Sequence, residues 1–329
     1  MLFWRSTYSK NRLKNSVYEL KKVEIGGIKQ WILVRGKNRD NPILLFLHGG
    51  PGSAQIAVSR TYFPKLEEKF IVVNWDQRGA GLSYSKDIPK DTMTVNNFIN
   101  DTKELIEYLL NKYKKEKVFL VGHSWGSGLG ILVTNKYPQL IQAYIGIGQI
   151  GDMQENERIA YKYVNEYAHK TDNIKAIKQL QEIGEPPYDD LISSMRIRSK
   201  WTSRFGARFY KLDMKQLMSK FLISSEYTVS DVYKFIKGST YSIETMWEEV
   251  SNLNLLKLVP ELCVPAYFLL GKHDYTVPYE IAEKYFDKLI APFKEIIWFD
   301  NSAHCIPFEE PLKFQQLIID KLTDKKYYL

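Results

Sequence analysis

The chain of 329 residues carries two cysteines, Cys263 and Cys305, too few for a disulfide framework and in no C-x-x-C pair. A reducing compartment, the cytoplasm, is therefore the expectation, and no ligand spacing calls for structural zinc or another metal. Long apolar runs are missing too, since no stretch reaches the roughly 18 residues of a membrane helix. Leu2-Phe3-Trp4 is too short for a secretory hydrophobic region before Arg5, although it would serve as the remnant of an anchor. Nor is there a long basic stripe: the net charge of +8 comes from 46 basic against 38 acidic side chains, and the densest run, 112–117, reads as a solvated helix end. Nucleic acid is not an expected partner. Phosphate-binding signatures are also absent. Asp76-Gln77-Arg78-Gly79-Ala80-Gly81-Leu82-Ser83 is polar and glycine-rich, but it is neither G-x-x-x-x-G-K-S/T nor G-x-G-x-x-G. Asp76 and Arg78 are read as residues that fix this loop.

With 44% hydrophobic residues the chain can bury a core. Residues 16–26 and 28–35 alternate as two strands joined at Gly26-Gly27, a hairpin. The run 43–47 is continuously apolar, as suits a buried parallel strand, and ends in His48-Gly49-Gly50-Pro51-Gly52. Helical patterns at 55–69 and 94–113 alternate with strand patterns at 70–75, 118–121 and 143–147. This β-α-β-α-β order implies α/β architecture, a mostly parallel sheet with helices on both faces. Strands at 264–271 and 295–299 and helices at 278–289 and 312–322 resume that order. Between them, 150–258 is dominated by helical periods and reads as a helical cap inserted into a core of 16–149 and 259–329, preceded by a tail at 1–15.

Chemistry concentrates at Gly122-His123-Ser124-Trp125-Gly126, a G-x-S-x-G between a strand and a helix. A serine hydroxyl is a poor nucleophile at neutral pH. It must be held exposed, near a base, with donors aimed at the developing oxyanion. A strand-to-helix elbow meets these needs, and the free amides of the following helix favour negative charge. The glycine-rich loop at 48–52 is able to supply a second amide, though a simple tight turn explains it equally well.

The five histidines allow elimination of the base. In this architecture the acid and then the histidine follow the serine. His48 and His123 precede Ser124 or adjoin it, with His123 expected to splay to the far side of the elbow. His169 lies in the insertion, and His273 adjoins the best acid. His304 remains. For the acid, Asp274, after a strong strand, is preferred to Asp152, which follows the preceding sheet strand; a helix-capping role is open to Asp274 as well.

Taken together, His48-Gly49-Gly50-Pro51-Gly52, the Asp76–Ser83 loop, Gly122-His123-Ser124-Trp125-Gly126-Ser127, Gly271-Lys272-His273-Asp274 and the late His304 resemble an α/β-hydrolase of the proline iminopeptidase family. The resemblance covers the sheet portion, about two thirds of the chain. It implies a serine hydrolase acting by acyl transfer, with Ser124 as nucleophile, His304 as base then acid, Asp274 orienting the imidazole, and the amides of Gly50 and Trp125 as oxyanion hole. No cofactor is implied. The expected substrate is a short peptide or small molecule, cleaved by an aminopeptidase; a carboxylesterase or lipase-like enzyme and a non-catalytic binding protein are the alternatives. An amino-terminal ammonium needs a counter-charge, for which Glu155, Glu157, Glu244, Glu248 and Glu249 are candidates. Epoxide hydrolases and dehalogenases are disfavoured because their elbow carries aspartate where Ser124 stands.

Overall fold

The computed structural model describes residues 5–7 and 13–323, so Leu2-Phe3-Trp4 and most of the expected tail lie outside the described residues. Eight strands form one sheet: β1 (Val17–Ile25), β2 (Ile28–Gly36), β3 (Ile43–Leu47), β4 (Ile71–Asp76), β5 (Val118–His123), β6 (Ile141–Ile147), β7 (Ala266–Gly271) and β8 (Lys294–Phe299). Their order is β1-β2-β4-β3-β5-β6-β7-β8. β1 pairs β2 and β2 pairs β4 antiparallel, and every later pairing is parallel.

Helices α1 (Ile56–Tyr62), α2 (Val95–Tyr113) and α3 (Trp125–Lys136) connect the first strands. Then α4 (Met153–Lys170), α5 (Ile174–Ile183), α6 (Leu191–Arg204), α7 (Met214–Leu222), α8 (Val229–Ser251) and α9 (Leu255–Leu258) stand between β6 and β7. Finally α10 (Tyr279–Lys288), α11 (Ile306–Glu309) and α12 (Pro311–Thr323) accompany β7 and β8. The helical pattern at 55–69 is shorter than its sequence suggested. It comprises α1 and a 3-10 turn at Leu66–Glu68, because Pro64 cannot donate to a continuing helix.

The uninterrupted apolar strands follow from burial on both faces. Ile43, Leu45 and Leu47 of β3 join one core with Leu105 and Leu109 of α2, whereas Leu44 and Phe46 join the other with Phe63 and Phe314. Period-two alternation therefore sorts one apolar run into two layers. At the start of the helical stretch the chain leaves and returns at one point: Asp152 and Asn254 form a bridge, the Met153 amide donates to the Leu253 carbonyl and the Leu255 amide to the Gly151 carbonyl. No helix among the described residues is long and apolar enough to cross a membrane.

A buried ion pair braces the antiparallel edge. Arg78 donates from Nε and Nη2 to the two oxygens of Asp101, each at 2.9 Å, and from Nη2 to the Gly26 carbonyl at 2.8 Å. Gln30 donates to Asp101 Oδ2 at 2.8 Å. Removing one side would strand a buried charge, so Asp101→Ala is expected to lower unfolding stability by roughly 3–5 kcal/mol. Urea titration checks this, and a loss below about 1 kcal/mol would contradict the role given to the pair.

Candidate active site

The parallel strands β3, β5, β7 and β8 deliver their loops to the same end of the sheet, the edge where open α/β sheets hold ligands. Ser124 lies between β5 and α3 at φ 56°, ψ −121°, a conformation that a residue with a Cβ adopts at a cost. Its surroundings hold it there. The Ser124 amide donates to the Ile147 carbonyl at 2.9 Å, and the Ser124 carbonyl accepts from the Ser127 amide at 2.8 Å and its hydroxyl at 2.6 Å. Gly126 allows the crossing of α3 over β3, since a Cβ there would stand 2.1 Å from the Leu47 carbonyl oxygen.

That crossing sets the elbow beside the loop after β3. Gly50 has φ +117°, which favours glycine. Neither its amide nor that of Trp125 has an acceptor within the described residues, and both residues line one cavity with Ser124 and His304. The two loops are tied together by Gln77. Its side chain donates to the His48 carbonyl and accepts from Trp125 Nε1, each at 3.1 Å. His48 is buried, with Nδ1 donating to the Gly49 carbonyl at 2.9 Å and Nε2 accepting the Gln77 amide at 3.1 Å. Asp76 accepts from the Leu82 amide at 2.9 Å and from the Tyr227 hydroxyl. Asp76 and Arg78 thus hold loop to fold and stand outside the cavity lining.

Asp274 follows β7. Its Oδ1 accepts the Thr276 and Val277 amides, each at 2.9 Å, and its Oδ2 stands 2.7 Å from His304 Nδ1. Both are buried, at 1% and 4% exposure. Asp152 instead caps α4, accepting the Gln154 and Glu155 amides at 3.1 and 3.2 Å and Asn254 Nδ2 at 2.6 Å. Among the described residues no hydrogen bond joins the Ser124 hydroxyl to His304, although both face the cavity; such contacts commonly tighten only with substrate.

The structure corrects the expected place of His123. Its ring does not splay away: it lies with its centroid 4.8 Å from that of His304 and its Nε2 2.8 Å from the His304 carbonyl. The loop after β8 returns over the end of β5, and the His304 carbonyl takes its donor from there. Burial, and then the electrostatic influence of the neighbouring His304 and Arg208 side chains, push His123 down to about 3. His273 stacks on Tyr210 with centroids 3.5 Å apart, and its Nε2 lies 3.1 Å from the Asp300 carbonyl.

Two features escaped sequence reasoning. Glu309 receives the amides of Ala303 at 3.1 Å, Cys305 at 2.9 Å and Tyr210 at 2.6 Å, so one carboxylate fixes the His304 loop on both sides and ties it to the segment before α7. Burial pushes that carboxyl up. Its position five residues after His304, in Phe308-Glu309-Glu310, carries no motif. The second is Arg208, whose carbonyl accepts the His304 amide at 3.2 Å and which is among the residues lining the cavity.

The carboxylates considered for an ammonium do not line this cavity. Glu155 pairs with Arg158 and Glu244 with Arg196, each at 3.0 Å. Glu157 holds Arg198, Glu249 accepts the Val95 amide at 2.8 Å, and Glu248 is exposed.

An eight-stranded, mostly parallel sheet with a strand-turn-helix serine and loops converging at its carboxyl end defines an α/β-hydrolase. Solved structures agree on the fold. The proline iminopeptidase of Mycobacterium smegmatis superposes with a TM-score of 0.66 at 17% identity over 92% of this chain and 97% of that one. A 2-hydroxy-6-oxo-6-phenylhexa-2,4-dienoate hydrolase from Rhodococcus does so with 0.63 at 18% over 93% and 99%. In sequence, the family described as "Serine aminopeptidase, S33" matches residues 41–311. The probable aminopeptidase YbaC of Bacillus subtilis is 38% identical over 302 residues, 92% of this chain and 95% of that protein. A proline iminopeptidase of Saccharolobus solfataricus is 24% identical over 306 residues, 90% and 88% of the two chains. The chain belongs to the serine aminopeptidase family and is an enzyme, a hydrolase.

The His48 contacts generate a pH prediction. Burial pushes His48 down from 6.5 to about 4, and a protonated ring would turn Nε2–H against the Gln77 amide. Between those values the unfolded chain binds the proton and the folded chain does not. The contribution is therefore complete above pH 6.5 and is lost as pH falls toward 4, about 3 kcal/mol in all. In urea titrations across this range, His48→Gln should lose less stability than the wild type on acidification. Parallel curves would contradict the assignment.

Proposed function

We propose that the chain is an acyl-transfer serine hydrolase with Ser124 as nucleophile, His304 as general base and then acid, and Asp274 as the group that orients and stabilises the imidazolium. The observation that carries this reading is the buried 2.7 Å contact between Asp274 and His304, opening on the same cavity as the strained Ser124. His304 Nε2 would take the hydroxyl proton as Ser124 Oγ bonds to the substrate carbonyl carbon. The carbonyl oxygen becomes an oxyanion facing the two free amides of Gly50 and Trp125. Collapse expels the amine or alcohol with the proton from His304. Water, deprotonated by His304, then attacks the acyl-enzyme, and the acid leaves as Ser124 recovers its proton.

We take residues 150–258 as a cap. Met153, Met195, Ile243 and Trp247 from these helices line the cavity, about 400 Å³ in volume, which suits a small substrate. Family membership favours an amide with a free amino terminus, such as a short peptide. Ester hydrolysis is a second reading, favoured by one observation: none of the described residues lining the cavity is aspartate or glutamate, and a desolvated ammonium needs such a partner.

A fluorophosphonate probe should label the wild type and leave Ser124→Ala unlabelled. Asp274→Asn should reduce kcat/KM by roughly 10³–10⁴-fold. Equal labelling of Ser124→Ala would remove Ser124 from its role. Rates on alanine and proline arylamides, compared with their N-acetylated forms and with short acyl esters, separate the aminopeptidase from the esterase.

A further inference from the structure

The cavity over Ser124 carries cations, and the acceptors in its lining are neutral, among them Asn156 Oδ1 and Thr276 Oγ1. Two arginines, Arg198 and Arg208, line it, and no carboxylate does. Arg198 is already neutralised. Its Nε and Nη2 bind the two oxygens of Glu157 at 2.7 and 2.5 Å, leaving only Nη1 buried without an acceptor. Arg208 has no such partner among the described residues; its guanidinium carbon lies over the Phe209 ring, 5.4 Å from the centroid. Among the described residues no carboxylate forms an ion pair with it, and its Nε is buried with no hydrogen bond. Burial pushes the neighbouring Cys305 thiol up, so Cys305 supplies no anion either.

The backbone of Arg208 is fixed relative to the reacting groups. The Ala207 carbonyl accepts the Tyr275 amide at 3.0 Å, and the Arg208 carbonyl accepts the His304 amide at 3.2 Å. The Tyr210 amide donates to Glu309 at 2.6 Å, while its ring stacks on His273. Residues 207–210 therefore lie across both loops that carry Asp274 and His304.

A guanidinium is a planar fork of donors that matches a carboxylate. Set in a wall that is otherwise largely apolar, an unpaired one repels ammonium and rewards a ligand that brings its own acceptors. We propose, resting on the acyl-transfer reading above, that this cavity selects substrates bearing a carboxylate, which Arg208 binds while Ser124 attacks the scissile carbonyl. The carboxylate belongs either to the leaving group, as the free carboxyl end of a dipeptide, or to the acyl part, as the acid end of a dicarboxylic half-ester. A long peptide, whose carboxyl end lies far from the scissile bond, meets neither description.

Matched substrates test this. Wild-type enzyme is given 4-nitrophenyl hemisuccinate beside the same ester with its free acid methylated, and alanyl-alanine beside alanyl-alanine amide. The acid member of at least one pair is expected to be preferred by roughly 10- to 100-fold in kcat/KM, the value of a hydrogen bond to a charged group. Which pair shows the preference tells leaving group from acyl part. Arg208→Gln should bring that ratio close to one, and Arg208→Lys should restore part of it. Equal or better turnover of both neutral members by the wild type overturns the proposal, as does a ratio unchanged in Arg208→Gln. Calorimetry with glutarate on Ser124→Ala protein reads the anion site without catalysis: binding weakened at least tenfold by adding Arg208→Gln is expected, and no binding, or binding indifferent to Arg208, counts against the site. Failure of fluorophosphonate labelling would instead fall on the acyl-transfer reading, whereas a labelled enzyme without charge preference sinks this inference alone.

Discussion

At Gly126 the first turn of α3 passes so close to the Leu47 carbonyl that no side chain fits between them. Everything at the carboxyl end of the sheet depends on that crossing. It brings the elbow against the loop after β3, so that the Gly50 and Trp125 amides share one cavity with Ser124. It also requires the chain to reverse within a single residue, and Ser124 takes up the reversal at φ 56°. The cost of that conformation, on the order of 1–3 kcal/mol, is offset by the Ile147 and Ser127 hydrogen bonds on either side of it. A strained serine is thus held in place by the parallel sheet, the part of the molecule most deeply buried.

Around this point the loops form one connected hydrogen-bonded body. Gln77 links His48 to Trp125, Glu309 links the His304 loop to Tyr210, and Arg208 closes the circuit by accepting the His304 amide. Donors at helix ends and loops are costly to bury without partners. Here several are satisfied by Gln77 and Glu309, which do not line the cavity, whereas the amides of Gly50 and Trp125 have no acceptor among the described residues. The segment between β6 and β7 adds apolar walls and the two arginines, Arg198 on α6 and Arg208 between α6 and α7. An acyl-transfer centre and an anion-recognising wall would then be coupled through the backbone of residues 207–210.

The strands and the Asp274–His304 pairing were legible because they rest on local rules. Apolar runs such as 43–47 and 118–121 mark buried parallel strands, and each loop that follows carries its chemistry within a few residues of the strand end. His304 could be reached by elimination because histidines are few and the order acid, then histidine is set by topology. Other features depend on which distant segments touch. The place of His123 is set by the return of the β8 loop, and Glu309 acts through three amides that its neighbours in sequence do not announce. Arg208 lies in a stretch of mixed charge and aromatic residues, where no periodicity distinguishes a cavity-lining arginine from a solvated one. The length of α1 was misjudged for a simpler reason, the breaking effect of Pro64.

The central claim is that Ser124, His304 and the amides of Gly50 and Trp125 act on one carbonyl. A crystal structure of the enzyme with a small alkyl boronic acid addresses it directly. The account predicts boron bonded to Ser124 Oγ, one boronate oxygen within about 3 Å of both amides, and another facing His304 Nε2. A boronate seated in the cavity with Ser124 unbonded, or an adduct whose oxygens point away from Gly50 and Trp125, would contradict it.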